Sequence, residues 1–400
     1  MKDVLLIVNY WHFEEERSSS RYRSFANILC QQFSLEVVTS SFCHLKRAQR
    51  NKEQLRLDKL PYKVTMIYER GYKKNISLRR IISYTEFGIN VLNYLKKHKK
   101  PDLIIVSVPS LAVADYVSAY AKRQKIPLII DIQDLWPEAF KMVINIPIVS
   151  DVLLAPMMRQ ANRIYSRADV IMAVSDTYVR RGKEANATAD ELSIYIGSDS
   201  ALIVEKTQGV CVCKEPGKFV VGYIGALGHS YDIKGVIDAI KLLKEKGIDN
   251  ILFKVMGDGI CREEYETYAR NANIDCNFTG QLDYGTMMKT LMQCEVAVNP
   301  IVGNSVSSII NKVADYAAAG IPVVNTQNSK EYRALLEKYQ AGISVENGNT
   351  SALAEALLQY YTDESMRIKA GKNEVKMYFE LFDRNLIYPK LVEKINAMLV

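Results

Sequence analysis

The sequence predicts an α/β fold: two Rossmann-like, doubly wound domains facing a cleft. Three observations lead there. Short, almost wholly apolar runs, DLIIVSVP (102–109), PLIIDI (127–132) and ADVIMAVS (168–175), suit strands buried on both faces of a parallel sheet. Segments with helical spacing of apolar residues alternate with them, as in βαβ units. The pattern then restarts after a Gly-, Lys- and Cys-bearing stretch at 205–218. At 400 residues, two domains of near-equal size are the simplest division.

Taken in order, VLLIVN (4–9) reads as a strand, SRYRSFANILCQQF as a helix, and LEVVTS and YKVTMIY (62–68) as strands. SLRRIISYTEFGINVLNYLKKH (77–98) is a long helix. After 205–218, KFVVGYIGAL, ILFKVMGDG, CNFTG, VAVNP and IPVVNT read as strands. Between them IKGVIDAIKLLKEKG, CREEYETYARNA, YGTMMKTLMQC and SIINKVADYAAAG read as helices. We expect a first domain over 1–204, a second over 205–383, and a terminal helix over 384–400 that crosses back to the first. No repeat of 20–50 residues appears, which excludes a solenoid.

Composition removes several classes. With 48% hydrophobic and 24% charged residues, the chain is neither disordered nor fibrous. No apolar run approaches the ~20 residues that span a bilayer. The opening MKDVLLIVNYWHFEEER lacks the form of a signal peptide. Seven scattered cysteines and four dispersed histidines fit neither a disulfide framework nor a zinc site, so we expect an intracellular protein without a metal. The net charge of +7 is uneven: residues 46–100 hold 16 basic and 4 acidic residues. Such a segment is either a solvated lysine-rich surface or a patch for phosphates, anionic headgroups or nucleic acid. No helix-turn-helix, zinc-finger or RRM signature accompanies it, so nucleic acid is not expected as a partner.

Open α/β sheets bind ligands at the carboxyl ends of their strands, and three ends in the second domain carry suggestive residues. Gly222-Tyr-Ile-Gly225-Ala-Leu-Gly228-His229 follows one strand; its glycines allow close backbone approach to a phosphate or sugar. Met256-Gly257-Asp258-Gly259 follows another and reads equally as a plain strand-to-helix turn. In the third, Ser307 or Ser308 suits a helix N-cap, Lys312 lies about one turn inside, and Asp315 follows at i+3. A helix N-terminus with an added lysine is an anion site; the alternative is a surface Lys–Asp pair.

These residues carry a resemblance. The helix with Asp315 followed by AAAGIPVV resembles the donor-site signature of GT-B glycosyltransferases, within them the retaining family-four group that assembles capsule, O-antigen and lipid-linked glycans. GYIGALGHSYD with IKGVIDAI, VMGDG, NFTGQLDY, and IIDIQDLWPEAF in the first domain resemble further segments of that group. Two glutamates with seven residues between them are common in the family; here their places fall on Ser307 and Asp315, and Gln133 stands where a histidine is frequent.

The resemblance implies a retaining, metal-independent transferase that uses a nucleotide sugar, with UDP-linked as the first expectation, and needs no other cofactor. It assigns Asp315 to the ribose hydroxyls and Lys312 to the phosphates. It makes Gly225, Gly228, His229, Lys234, Gly257, Asp258, Ser307 and Ser308 donor-binding candidates. Asp134, Glu138 and Lys312 are catalytic candidates: the carboxylates to orient an acceptor hydroxyl, the lysine to stabilise the leaving diphosphate. Arg17, Arg21 and Trp136 are acceptor candidates, the arginines as a grip on an acceptor diphosphate. The region 46–100 and the run MVINIPIVSDVLLAPMM (142–158) suggest peripheral attachment to the inner face of the cytoplasmic membrane, although the run reads more readily as a packed helix pair. A sugar-nucleotide epimerase of the same fold, and an inactive sugar-binding relative lacking the glutamate at Ser307, stay open as alternatives.

Overall fold

The computed structural model describes residues 1–16, 20–74, 77–142, 147–302 and 309–400. The chain forms two compact units, 1–195 with 388–400, and 196–387. The division thus falls at Tyr195/Ile196 rather than near 204. Residues 205–218, after which the strand pattern restarts, lie inside the second unit.

In the first unit the elements run β1 (Asp3–Val8), α1 (Arg21–Leu29), β2 (Ser34–Ser40), a small antiparallel ribbon β3 (Phe42–Cys43) and β4 (Ala48–Gln49), β5 (Lys63–Ile67) and α2 (Leu78–Lys97). There follow β6 (Leu103–Val108), α3 (Leu111–Gln124), β7 (Leu128–Ile132), α4 (Pro147–Tyr165), β8 (Val170–Ala173), α5 (Asp176–Ala185) and β9 (Asp190–Ser193). Seven parallel strands are ordered β5-β2-β1-β6-β7-β8-β9. Every residue of β6, β7 and β8 is buried, as their unbroken apolar runs require. Of the run at 142–158, residues 147–158 belong to one helix, α4; residues 143–146 lie outside the described residues. The chain's last helix, Pro389–Met398, packs on α1, where the rings of Tyr388 and Phe25 lie 4.4 Å apart.

The second unit begins with α6 (Ser200–Thr207), β10 (Phe219–Ile224), α7 (Ile233–Glu245), β11 (Ile251–Met256), α8 (Arg262–Asn271) and β12 (Cys276–Gly280). It continues with α9 (Tyr284–Leu291), β13 (Val296–Asn299), α10 (Lys312–Ala319), β14 (Val323–Asn325), α11 (Lys330–Tyr339), β15 (Gly342–Ser344), α12 (Thr350–Thr362), α13 (Glu364–Met377) and α14 (Arg384–Ile387). Its six strands are all parallel, in the order β12-β11-β10-β13-β14-β15. Both sheets therefore reverse direction beside their first strand, at β1/β6 and at β10/β13. Such switch points leave an open crevice at the strands' carboxyl ends.

The hydroxyl of Tyr316 on α10 fastens the second switch point. It donates to the Val298 carbonyl (3.1 Å) and accepts from the Ile224 amide (3.2 Å), joining β13 to β10. The helix is thereby fixed beside the ends of both strands.

Candidate active site

The glycine turns after β10 and β11 interlock. The Gly225 amide donates to the Met256 carbonyl at 3.0 Å, and the Leu227 amide to that of Asp258 at 2.9 Å. A Cβ on Gly257 would stand 1.8 Å from the Gly225 carbonyl oxygen. The sequence needs glycine there because two backbones pass too closely for a side chain. Gly225 itself has φ of 137°, and a Cβ on it would lie 2.7 Å from Lys312 Nζ.

Lys312 is the first residue of α10, with Asn311 as N-cap. The expected cap at Ser307 or Ser308 is therefore three to four residues early, and Lys312 sits at the helix tip rather than one turn inside. Ser307 and Ser308 lie outside the described residues. The Lys312 stem is partly accessible, but its amine is shielded from solvent and has no hydrogen-bond partner among the described residues. It lies 4.1 Å from the ring centroid of Tyr223 and 4.2 Å from that of Tyr231. The ring faces favour the ammonium, but burial dominates and pushes the amine down to about 7.

Asp315 makes no ion pair with Lys312. The Tyr284 hydroxyl donates to its Oδ1 at 2.8 Å. Burial lifts the Asp315 carboxyl to about 6, against the opposing pull of the Tyr284 hydrogen bond and the Arg384 charge. The site thus holds two ionisable groups that change charge near neutrality, a property concentrated at functional sites. Among the described residues, no group of three or more His, Cys, Asp or Glu is arranged to hold a metal ion.

His229 is exposed on the turn after Gly228, with Nδ1 3.4 Å from the Cys261 thiol. Asp258 is exposed and faces Arg262 at 3.5 Å. Lys234 departs from expectation: on α7 it pairs with Glu264 at 2.5 Å and lies over the Tyr268 ring, so its charge is already engaged.

In the first unit, Arg21 requires correction as an acceptor grip. It is buried, pairs with the buried Asp131 of β7 at 3.3 Å, and donates to the carbonyls of Ile194 and Tyr195. Its guanidinium also lies 4.5 Å from the Phe25 ring centroid. Every described contact is internal, so the side chain ties α1 to the sheet. Arg17 lies outside the described residues.

Asp134 and Trp136 follow β7. Burial raises the Asp134 carboxyl above its ordinary range. Trp136 is partly exposed, with Phe140 at 4.7 Å, Tyr84 at 6.2 Å and the Arg80 guanidinium at 4.8 Å. Glu138 forms a short ion pair with Arg181, which leaves its other oxygen, Oε2, buried and unpartnered among the described residues.

Sequence reasoning missed the tyrosines. Tyr223, Tyr231 and Tyr284 surround the two central side chains. All three stand inside the quoted segments GYIGALGHSYD and NFTGQLDY, but an aromatic residue near a strand end serves a core as well as a site, so nothing in the chain singled them out.

Residues 218–363 match the family described as "Glycosyl transferases group 1". No curated protein matches the chain by sequence. Among solved structures, HepE of Anabaena in complex with UDP is similar, with a TM-score of 0.70 at 16% identity, over 99% of this chain and 100% of that one. Sucrose-phosphate synthase of Thermosynechococcus elongatus gives 0.67 at 14%, over 100% and 99%. WaaG, a glycosyltransferase involved in lipopolysaccharide biosynthesis, gives 0.62 at 14%, over 98% and 99%. The chain thus has the GT-B fold of glycosyltransferases, and the segment that carries the Lys312 site is the one that matches the group 1 model.

Proposed function

We propose that this protein is a retaining glycosyltransferase that moves a sugar from a nucleotide sugar, most readily a UDP-sugar, to a glycan or lipid-linked acceptor in surface polysaccharide synthesis. The observation that carries the reading is the unpartnered Lys312 amine at the tip of α10, beneath Gly225 and beside the β10/β13 switch point. Helix N-termini and an enclosed ammonium both favour a phosphate. HepE, whose fold this chain shares, has been solved with UDP and with UDP-glucose, which supports the choice of donor.

In this reading the leaving diphosphate gathers negative charge as the sugar–phosphate bond breaks. Lys312 and the first amides of α10 meet that charge, without a metal ion or other cofactor. Asp315, held by Tyr284, accepts hydrogen bonds from the ribose hydroxyls. The departing phosphate takes the acceptor proton, and Asp134 orients the acceptor hydroxyl. The protein works at the inner face of the cytoplasmic membrane.

The test is a thermal-shift panel of UDP, GDP, CMP, ADP and NAD, repeated on Asp315→Ala. A ligand at ~100 times its dissociation constant stabilises by about 2.7 kcal/mol. A UDP-selective shift lost in the variant is expected; no shift with any nucleotide refutes the reading. Product analysis with a UDP-sugar and no acceptor separates a transferase from an epimerase.

A further inference from the structure

Helix α2 is apolar on both faces. One face packs inward through Tyr84, Phe87, Val91 and Leu95. At 3.6 residues per turn, Leu78, Ile81, Ile82, Thr85 and Ile89 lie within about a 100° arc on the opposite side. Of these, Leu78 is 78% exposed, Ile81 58%, Ile82 52% and Ile89 42%. A surface helix ordinarily turns polar residues outward, and contiguous exposed apolar side chains mark an interaction site. Here they border a shallow depression of about 330 Å³, lined by Ile81, Ile82, Thr85, Glu86, Ile89 and Asn90. The acid among them is neutralised: Glu86 is bridged by Arg70 at 2.9 Å.

The surroundings of this stripe are basic. Lys73, Lys74 and Arg79 are exposed at its amino end, and Lys96, Lys97, Lys99 and Lys100 at or just beyond the carboxyl end of α2. Of these, Lys99 pairs with Asp3 at 2.8 Å, and an apolar helix face flanked by exposed cations matches an anionic lipid surface, where the aliphatic groups enter the headgroup boundary and the cations meet lipid phosphates. Among the described residues, no helix is long and apolar enough to cross a membrane.

We propose that the outward face of α2 is the surface through which the protein lies on an anionic bilayer, with Ile81, Ile82 and Ile89 inserted and the flanking lysines on the headgroups. This deepens the membrane attachment in the function proposed above and is independent of the donor chemistry.

The experiment is co-sedimentation of the full chain with phosphatidylcholine vesicles, with and without phosphatidylglycerol. Wild type, Ile82→Glu/Ile89→Glu and Lys96→Glu/Lys97→Glu are compared, and each variant is checked for an unchanged thermal midpoint and UDP shift. Wild type binds only the vesicles containing phosphatidylglycerol, and each variant binds them about tenfold or more weakly. No wild-type binding to either vesicle overturns membrane attachment itself, whatever the UDP shift shows. Undiminished binding by the isoleucine variant overturns this face as the surface. A concentration-dependent dimer that the isoleucine variant abolishes, without vesicle binding, assigns the stripe to a second copy of the chain and also overturns the proposal.

Discussion

The Lys312 amine lies between the rings of Tyr223 and Tyr231, at 4.1 and 4.2 Å from their centroids, with no polar partner among the described residues. Burial has moved its titration down to about 7 from an ordinary 10.5. The empty site therefore loses its positive charge as pH rises through about 7, whereas a bound diphosphate holds the proton on. UDP affinity should fall by up to about tenfold per pH unit above that point, with proton uptake on binding. Titration calorimetry between pH 6 and 9, in buffers of different ionisation enthalpy, measures both. A pH-independent affinity contradicts the assignment of Lys312 to the phosphates.

The same displacement has a consequence for stability. A lysine whose folded pKa lies below its unfolded value binds fewer protons in the folded state, so its cost is complete below about pH 7 and fades toward pH 10. Lys312→Met should stabilise the empty protein by on the order of 1–3 kcal/mol at pH 7, after the cation–π contacts are offset, and remove the UDP shift. A thermal midpoint that rises while binding disappears is the expected pattern. A midpoint that falls shows that the amine is already satisfied in the empty protein.

Asp315 titrates in the opposite sense. Its carboxyl, lifted to about 6 by burial, is held down by the Tyr284 hydroxyl. Tyr284→Phe removes that hydrogen bond and moves ionisation to higher pH. If the carboxylate binds ribose, the variant should lose several-fold in UDP affinity near pH 6.5, and recover as pH rises far enough to ionise the carboxyl. A loss of equal size at pH 6.5 and 8.5 points to displaced geometry rather than protonation. In wild type the two titrations together place tightest binding between about pH 6 and pH 7.

Gly225 offers a geometric test. At φ 137° a side chain is strained, and a Cβ would approach Lys312 Nζ to 2.7 Å. Gly225→Ala should cost about 1–3 kcal/mol of stability and weaken UDP binding by displacing the amine. Gly209→Ala, also at positive φ but with nothing within 4 Å of the added Cβ, is the control for strain alone. Equal UDP affinity in both variants would separate Gly225 from the site.

Much of this was legible in the chain. The buried strands announced themselves as unbroken apolar runs, and the glycines marked where β10 and β11 meet. The start of α10 was misplaced because Ser307 and Ser308 are good caps by type, while the observed cap, Asn311, makes no side-chain capping bond. The tyrosines around Lys312 carried no pattern, because an aromatic residue near a strand end serves a core and a site equally well. Arg21 was read as a grip on an acceptor diphosphate. Two signals pointed inward: Phe25 and Leu29 follow at i+4 and i+8 on one helix face, and Asp131 sits within the otherwise apolar PLIIDI. A carboxylate in a buried strand needs a cation.

That pair yields the prediction most opposed to an acceptor role. Arg21 and Asp131 are both buried, and each would be left as an uncompensated polar group without the other. Arg21→Ala should destabilise the first unit by about 3–5 kcal/mol. Arg21→Met/Asp131→Leu, which removes both charges and retains apolar bulk, should recover part of that loss. An acceptor-binding arginine behaves differently: its removal leaves the melt unchanged and raises the acceptor KM. Thermal melts of the single and double variants, with acceptor kinetics on any that fold, decide between these outcomes. The carbonyls of Ile194 and Tyr195 also accept from Arg21, so the double variant should not regain full stability, because it leaves both oxygens without their donor.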